Sequence, residues 1–269
     1  MNTFARKPRP PLSDFIVWIW SYEGSRQSRE LLLPIGTVEL VINLTENLTR
    51  IFTTIDDLEG KSVGLSAVNG PQSKYFVLVP NERVSVIGVH FKPGGLRPFV
   101  RLPLADLADT HVALEDLWGR DANLLREQLL YTSRVDDRLA LLERALMARL
   151  EGRPVYHPIV AYALNQFGSE PALARIDYVS KSSGYSAKRF IQIFNEGVGL
   201  TPKRYCRVRR FQSVISQLNR GMRVEWADVA ADSGYYDQSH LIHDFREMAG
   251  ITPAQYEAVD SSSPNHARI

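Results

Sequence analysis

The stretch SGYSAKRFIQIFNEGVGLTPKRYCRVRRF, residues 183–211, decides how the second half of the chain folds. It returns in altered form as SGYYDQSHLIHDFREMAGITPAQY, residues 233–256, which keeps the opening Ser-Gly-Tyr, a Phe, a Gly and the closing Thr-Pro. The offset between the copies is 50 residues before the turn and 51 after it, so the second copy has one extra turn residue. Two such copies close in sequence indicate one supersecondary unit that is used twice.

Each copy has the pattern of two helices joined by a short turn. In the first copy Gly184 lies where a helix ends, since glycine readily adopts the left-handed conformation required there. Ser186 then begins a second helix as its N-cap, with Phe190 and Phe194 on the buried face. The corresponding residues of the second copy are Gly234, Asp237, Leu241 and Phe245. This order is the signature of a helix-turn-helix unit, although an αα-hairpin without a ligand gives the same pattern.

A long basic helix is predicted between the two units. Thr201 and Pro202 form an N-cap followed by proline at the first helical position, and the helix extends to about Leu218. Its length is roughly 25 Å, which is shorter than the ~34 Å between successive turns of one groove of B-DNA. We therefore expect either bent DNA or incomplete docking of one unit.

Charge is distributed unevenly along the chain. The 269 residues have a net charge of +2, but residues 175–223 contain 11 Lys and Arg against 2 Asp and Glu. Residues 224–269 contain 2 against 8, and residues 1–153 are balanced. A basic block in an otherwise neutral chain favours a polyanionic partner over a solvated basic face without a ligand. The acidic second unit is the one expected to dock more weakly on DNA.

Residues 183–205 and 226–256 resemble the duplicated DNA-binding domain of the AraC/XylS family of bacterial transcription regulators, down to the segments GYS and GITPAQY. Two further segments, LLLPIGTVELVINL at residues 31–44 and GVHFKPGGL at residues 88–96, look like a cupin-related sensor domain of such regulators. The N-terminal domain of such families binds an effector or mediates dimerisation. The resemblance therefore implies double-stranded DNA, a small-molecule effector, RNA polymerase and a second copy of the chain as partners.

The resemblance also assigns DNA contacts to the second helix of each unit. Positions that read bases in similar regulators fall on Lys188, Ile191, Gln192, Gln238, Ser239 and His243. The arginines expected to bind phosphates are Arg189, Arg204, Arg207, Arg210 and Arg246. Ile191 departs from the polar residue expected at its position, and a contact with a thymine methyl group or a different operator would each explain it.

The first part of the chain has the pattern of a small β-barrel or sandwich followed by helices. Short runs rich in Val, Ile, Leu and aromatic residues are separated by Gly, Pro, Asn or Asp. These runs occupy residues 31–33, 38–44, 51–54, 63–68, 75–79 and 84–91, and residues 15–20 fit either a strand or a short helix. Leucines at helical spacing then predict helices between residues 117 and 150.

The predicted fold class is therefore α+β, with a cupin-like N-terminal β-barrel and its helices, then two helix-turn-helix units joined by a long helix. We expect a sensor or dimerisation domain over residues 1–152, a DNA-binding domain over residues 153–260 and a disordered tail over residues 261–269. The segment EGRP, residues 151–154, is the candidate boundary because it combines glycine and proline after a helical pattern.

The sequence has no clear motif of an enzyme, a cofactor site or a metal site. His90 and His111 are isolated, no phosphate-binding loop or nucleophile elbow stands out, and Gly94 with Gly95 fits a strand-to-helix turn. We therefore predict no catalytic residue, no cofactor and no metal ion. Aromatic residues either fill the barrel core or line an apolar ligand pocket, and these are Trp18, Trp20, Tyr22, Tyr75, Phe76 and Phe91.

Three side chains of the helical half have two interpretations each. His240 and His243 form a poor metal pair without a third ligand, and Cys206 is either a packed helical residue or a redox sensor beside arginines. Neither a membrane helix nor a signal peptide is predicted, so a cytoplasmic location is expected. Two alternatives to a transcription regulator stay open: an enzyme in the N-terminal barrel, and a protein-interaction module with a degenerate second unit.

Overall fold

A computed structural model describes residues 2–150, 157–169, 175–219, 225–259 and 265–268. An antiparallel-sheet domain is followed by a helical domain, which confirms the predicted α+β class. The predicted boundary at residues 151–154 lies outside the described residues.

The N-terminal domain is built on antiparallel strands. They are β1 (Asn2–Arg6), β2 (Ile16–Arg26), β3 (Glu30–Leu32), β4 (Glu39–Asn43), β5 (Arg50–Ile51), β6 (Lys61–Ser62), β7 (Ser66–Asn69), β8 (Phe76–Leu78), β9 (Asn81–Phe91), β10 (His111–Ala113) and β11 (His266–Arg268). The largest sheet has six strands in the order β1-β2-β9-β4-β7-β10, and two smaller sheets are β11-β3-β8 and β5-β6. The ambiguous segment at residues 15–20 is therefore mostly strand, in β2.

Helices account for the rest of the described architecture. They are α1 (Leu114–Trp118), α2 (Arg120–Tyr131), α3 (Val135–Leu150), α4 (Pro158–Ser169), α5 (Ile176–Ser182), α6 (Ala187–Val198), α7 (Pro202–Leu218), α8 (Trp226–Asp232) and α9 (Gln238–Ala249). The leucines of α2 and α3 form one buried cluster with Ile19 and Val89 of the large sheet. The predicted helical leucines thus cover one face of that sheet.

Local sequence explains where the helices of the second half begin and end. The N-cap oxygens of Ser186, Thr201 and Asp237 each accept a hydrogen bond from the backbone N–H three residues later. Gly184 and Gly234 have φ angles of 74° and 75°, which a side chain would disfavour. The two predicted helix-turn-helix units are therefore α5 with α6 and α8 with α9, and α7 links them.

The sheet domain and the helical domain share one buried core. Leu31 and Leu33 in and beside β3 and Val77 of β8 belong to the same cluster as Phe194 of α6 and Val208 of α7. Gln212 of α7 adds a polar tie, because its Nε2 donates to the Pro34 carbonyl at 2.8 Å. Burial of apolar surface between the domains thus holds the helical units against the small sheet.

Strand β11 differs from the disordered tail expected over residues 261–269. His266 pairs with Leu32 and Arg268 with Glu30, so the strand extends the small sheet. Ala267 is fully buried, and the His266 Nδ1 atom lies 3.0 Å from Glu30 Oε2. Three residues carry too little periodicity to predict a strand, and the partner lies more than two hundred positions away, which is why the pattern missed it.

Candidate nucleic-acid interface

Helix α6 presents a polar face to solvent opposite its buried face. Phe190 and Phe194 are fully buried, as the pattern predicted. Lys188 and Gln192 are exposed, and Ile191 has 42% of its surface accessible, which is unusual for isoleucine in a packed helix. The three residues predicted to read bases in this unit therefore lie on an accessible helix face.

Helix α9 has a corresponding face in the second unit. Leu241 and Phe245 are buried, and the predicted base-reading residues Gln238, Ser239 and His243 are all exposed. The helix is 12 residues long, as is α6, and each ends at a glycine in the left-handed conformation. Both units thus offer a helix of the size that the major groove admits.

A surface hydrogen-bond chain organises the side chains of α6. Arg189 donates through Nη1 to Gln192 Oε1 at 3.1 Å, and Gln192 donates through Nε2 to Glu196 Oε1 at 2.8 Å. The amide of Gln192 is therefore already held with defined donor and acceptor directions. Gln can recognise adenine with a bidentate pair, which requires an oriented amide of this kind.

Arg204, one of the predicted phosphate contacts, has partners inside the protein. Its Nη2 atom donates to Ser73 Oγ at 2.6 Å and pairs with the Asp109 carboxylate, and both partners belong to the N-terminal domain. A guanidinium group that binds a carboxylate and a hydroxyl has fewer donors for a phosphate. In this structure Arg204 connects the two domains.

Arg207 and Arg210, two more of the predicted phosphate contacts, also have partners inside the protein. Arg207 donates through Nε to Asp244 Oδ1 at 2.5 Å, and its terminal nitrogens bind Glu247 at 2.5 and 3.1 Å. Arg210 donates to the Gly234 carbonyl at 3.2 Å and lies 5.2 Å from the centre of the Tyr235 ring. These contacts hold α7 against the second unit, and they engage all three guanidinium nitrogens of Arg207 and one terminal nitrogen of Arg210.

The buried Asp244 is a structural residue that sequence reasoning missed. It is only 4% exposed and accepts a second hydrogen bond from the Tyr235 hydroxyl at 3.2 Å. Burial and the neighbouring carboxylate raise the pKa of Tyr235 above its usual range, so the hydroxyl stays a donor. Alignment of the two copies places Asp244 opposite Ile193, and a carboxylate on a buried helix face was the signal available.

Arg189 and Arg246 stay as predicted phosphate contacts. Both side chains are exposed, and each lies on the helix whose neighbouring residues are predicted to read bases. A cation at this place can bind a phosphate and set the register of the helix on DNA. The structure therefore retains one such arginine in each unit.

Cys206 is buried on α7, and burial raises the pKa of its thiol to about 12 despite nearby Arg210 and Arg209. The thiol is therefore protonated at neutral pH, which favours the packed residue over the redox sensor. His240 accepts a hydrogen bond from the Tyr236 backbone N–H at 3.4 Å. Within the described ranges, no group of three or more potential metal ligands occurs.

The large sheet has one face that α2 and α3 leave uncovered, and it is aromatic. Trp18 and Trp20 lie on this face with His90 and Gly88, because these residues pair directly between β2 and β9. The Trp20 ring lies against Gly88, where an added Cβ atom would be only 2.5 Å from Trp20 Cζ2. The buried Nε1 atom of Trp20 has no hydrogen-bond partner among the described residues.

His90 is held at the end of this aromatic face. Its Nδ1 atom lies 3.2 Å from Glu39 Oε1, its Nε2 atom lies 3.4 Å from Thr37 Oγ1, and its ring centre is 5.6 Å from that of Trp18. Trp18 is 44% exposed, so the face is open to solvent there. Of the predicted pocket aromatics, Phe91 instead lies in the core between the sheet and its helices.

His111 is the second histidine of the sheet domain. Its Nδ1 atom lies 2.8 Å from Asn69 Oδ1, and burial, with a smaller effect of Lys61, lowers its pKa to about 4. The imidazole is therefore neutral at physiological pH. Its contact with Asn69 at the end of β7 gives it a structural role.

Comparison with known proteins fits these two halves. Residues 179–258 match a model described as a helix-turn-helix domain, and residues 5–113 match a domain of unknown function (DUF6597). The match over residues 179–258 supports the resemblance of the helical half to the AraC/XylS family. The matched residues contain most of α5 and all of α6, α7, α8 and α9, so both helix-turn-helix units fall within that model.

An uncharacterised helix-turn-helix-type transcriptional regulator of Haemophilus influenzae is 23% identical to this chain over 161 residues. The alignment covers 60% of this chain but spans only about half, 51%, of that relative. Among solved structures, ToxT from Vibrio cholerae has a TM-score of 0.47 at 10% identity, covering 88% of this chain and 96% of ToxT. The C-terminal domain of AraT, a response regulator from Geobacillus stearothermophilus, has a TM-score of 0.35 at 16% identity, covering 38% and 85%.

Among the described helices, none is long and apolar enough to cross a membrane.

Proposed function

We propose that this regulator recognises a specific double-stranded DNA sequence with the exposed faces of α6 and α9. The observation that supports this most directly is the matched pair of accessible helix faces, both set on buried phenylalanines and both followed by a left-handed glycine. Lys188, Ile191 and Gln192 would read one major-groove segment. Gln238, Ser239 and His243 would read the next one.

Phosphate contacts are proposed for Arg189 and Arg246, the two exposed arginines of these helices. Such contacts fix the helix in the groove without carrying sequence information. Because the acidic second unit repels phosphates, the first unit is proposed to supply most of the affinity. The second unit then adjusts specificity.

We also propose that a small-molecule effector binds the aromatic face of the large sheet. The buried Trp20 N–H has no hydrogen-bond partner among the described residues, and the tilted rings of Trp18 and His90 form an aromatic surface that is open to solvent at Trp18. These groups fit a flat organic molecule with a hydrogen-bond acceptor. Binding would be detected as quenching or a spectral shift of tryptophan fluorescence, and Trp20→Phe should weaken it since the donor is lost.

The remaining proposals extend the family resemblance. RNA polymerase and a second copy of the chain are proposed as protein partners, and residues 1–152 and 153–260 are proposed as the two domains. A cytoplasmic location follows from the DNA partner, because the regulators of this family act on the bacterial chromosome.

The DNA proposal is tested by titrating the protein against the promoter fragment of its own gene at several salt concentrations. We expect the logarithm of the affinity to fall linearly with the logarithm of the salt concentration. Gln192→Ala should lose about 1–3 kcal/mol of discrimination at one base pair, and Gln238→Ala should do so at another. Gln128→Ala, an exposed glutamine on α2, is the matched control. Salt-insensitive binding, or unchanged specificity in both variants, would contradict the proposal.

A further inference from the structure

One loop of the sheet domain, residues 71–75 after β7, contacts the C-terminal ends of α6 and α9, which are called the recognition helices. At the end of α6, a Cβ atom added to Gly199 would lie 2.3 Å from Pro71 Cγ and 2.8 Å from the Leu104 carbonyl oxygen. Gly199 also has a φ of 92°, which a side chain would strain. Only glycine therefore lets the loop approach this helix end so closely.

The end of α9 meets the other side of the same loop. The Tyr75 backbone N–H donates to the Met248 carbonyl at 2.8 Å, and a Cβ atom added to Gly250 would lie 2.5 Å from Tyr75 Cζ. Gly250 occupies in the second copy the position that Gly199 occupies in the first. Equivalent points of the two units are thus held by residues only four positions apart in the loop.

Arg204, at the start of α7, ties the linking helix to the middle of this loop. It binds Ser73 Oγ and the Asp109 carboxylate, and Asp109 also accepts the Ser73 backbone N–H at 2.6 Å. The loop, Arg204 and Asp109 together are called the spacing clamp below. The clamp therefore touches α6, α7 and α9.

Internal hydrogen bonds make the loop of the spacing clamp rigid. Asp109 has a φ of 52°, and its backbone N–H donates to the Pro71 carbonyl at 3.2 Å. The buried Gln72 amide donates to the carbonyls of Gly70 and Thr110 at 3.1 and 3.0 Å. A loop that is fixed at this many points holds the helix ends at a constant separation.

The spacing clamp leaves the proposed DNA-reading residues accessible. It touches the C-terminal ends of α6 and α9, whereas the base-reading residues lie in the first two turns of each helix and are exposed. The contact therefore does not block the DNA-reading faces of α6 and α9. What it does fix is the position of one recognition helix relative to the other.

We propose that the spacing clamp sets the distance between the two DNA half-sites that the protein accepts. Two linked binding modules bind best to sites whose separation matches the linker, and a stiff connection narrows the range of separations. A bound effector on the sheet could reach the clamp through β7, whose last residue, Asn69, precedes the loop and contacts His111. The inference rests on DNA binding by both units.

The test is selection of binding sites from random duplex DNA by the full-length protein and by Asp109→Asn. Asparagine tolerates the left-handed backbone of residue 109 and keeps an acceptor for Ser73, but it lacks the charge that binds Arg204. The exposed Asp106→Asn, in the neighbouring turn, removes the same charge and is the matched control. Ser73→Ala is a second variant, and thermal unfolding checks that all of them fold.

Wild type and Asp106→Asn should select two half-sites at one spacing. Asp109→Asn and Ser73→Ala should accept neighbouring spacings as well and lose about threefold in affinity for the wild-type site, since the ion pair is partly exposed. Their affinity for a single half-site should not change. A merely structural role would instead lower the affinity for every site alike.

Three outcomes would overturn the inference. Identical spacing preferences in all proteins would show that the clamp does not set spacing, while the DNA-binding function would stand. Tighter binding of Asp109→Asn to every site, with a salt dependence steeper by about one in the log-log slope, would make Arg204 a phosphate contact released by the mutation. If wild type selects no DNA, the proposed function itself fails.

Discussion

The two helix-turn-helix units share their order of elements but are held together by different forces. In the first unit, Phe194 packs against Phe167 of α4, Phe190 and Tyr205, with ring centres 5.7 to 6.2 Å apart. In the second unit, the buried Asp244 binds Arg207 of the linking helix. Apolar packing thus fixes the first unit, and a directional polar contact contributes to the second.

This difference explains how a strongly basic linking helix and an acidic unit coexist in one domain. Arg207 pairs with both Asp244 and Glu247, so its positive charge is used inside the protein and is not available to DNA. The four predictions below test how far this contrast holds.

The largest effects are expected from the buried phenylalanines. Phe194→Ala should lower the free energy of unfolding by about 3–5 kcal/mol, because it leaves a cavity among aromatic rings. Phe245→Ala, which loses its contact with Phe211 at 5.0 Å between ring centres, should cost a similar amount. Denaturant unfolding measures both, with the exposed Ile191→Ala as a control expected to change stability by under about 0.5 kcal/mol. Near-neutral values for either phenylalanine would break the comparison.

The polar network of the second unit should lose stability when Asp244 is replaced by isoleucine, the residue type at the equivalent position of the first unit. Asp244→Ile introduces the side chain type of Ile193 and should cost about 2 kcal/mol, since Arg207 and Tyr235 lose a buried partner. Adding Arg207→Met should recover a large part of that loss. The surface variant Asp228→Asn serves as the control, and additive losses in the double variant would mean that the network is not a unit.

The helix caps are expected to matter less and nearly equally. Ser186→Ala and Asp237→Ala should each cost about 1 kcal/mol, because each removes the acceptor for an N–H in the first turn. The charged cap of the second unit also interacts with the helix dipole, so its loss should shrink at high salt. Thermal unfolding at low and high salt measures the difference. Equal salt dependence of the two variants would contradict it.

The smallest effect is a pH dependence confined to the second unit. The hydrogen bond from Arg207 holds the pKa of Glu247 below its usual value. The ion pair therefore adds stability at pH values above the unfolded-state pKa and loses it as the pH falls through the lowered folded-state pKa. With Glu247 42% exposed, the contribution should stay below about 1 kcal/mol. The check is the stability difference between wild type and Glu247→Gln at neutral pH and at about pH 3.

Sequence reasoning succeeded where a local pattern determines the structure. Gly184, Ser186 and Asp237 predicted turns and caps correctly, because the backbone geometry at those places depends on the residue itself. It did not anticipate the intramolecular partners of Arg204 and Arg207, which lie about a hundred and about forty positions away in the chain. A count of charges shows how many arginines a segment has, but only the fold shows which of them are already paired.

The candidate DNA faces could be located for the same reason. Phe190 and Phe194, four positions apart and both buried, fix which side of α6 faces outward. The exposure of Lys188 and Gln192 therefore follows from periodicity, whereas their base-reading role is what the resemblance implies. The spacing clamp could not be foreseen. Its loop has the composition of an ordinary turn, and only the fold shows that the loop approaches Gly199 and Gly250 closely.

Strand β11 has a practical consequence for anyone who divides this protein. Without His266–Arg268, the edge of β3 would be unpaired and its backbone groups open to other chains. A fragment ending near residue 150 would also uncover Leu31 and Leu33, which the helical units bury. Such a fragment is therefore prone to edge-to-edge aggregation, and the N-terminal half is best studied in the full-length chain.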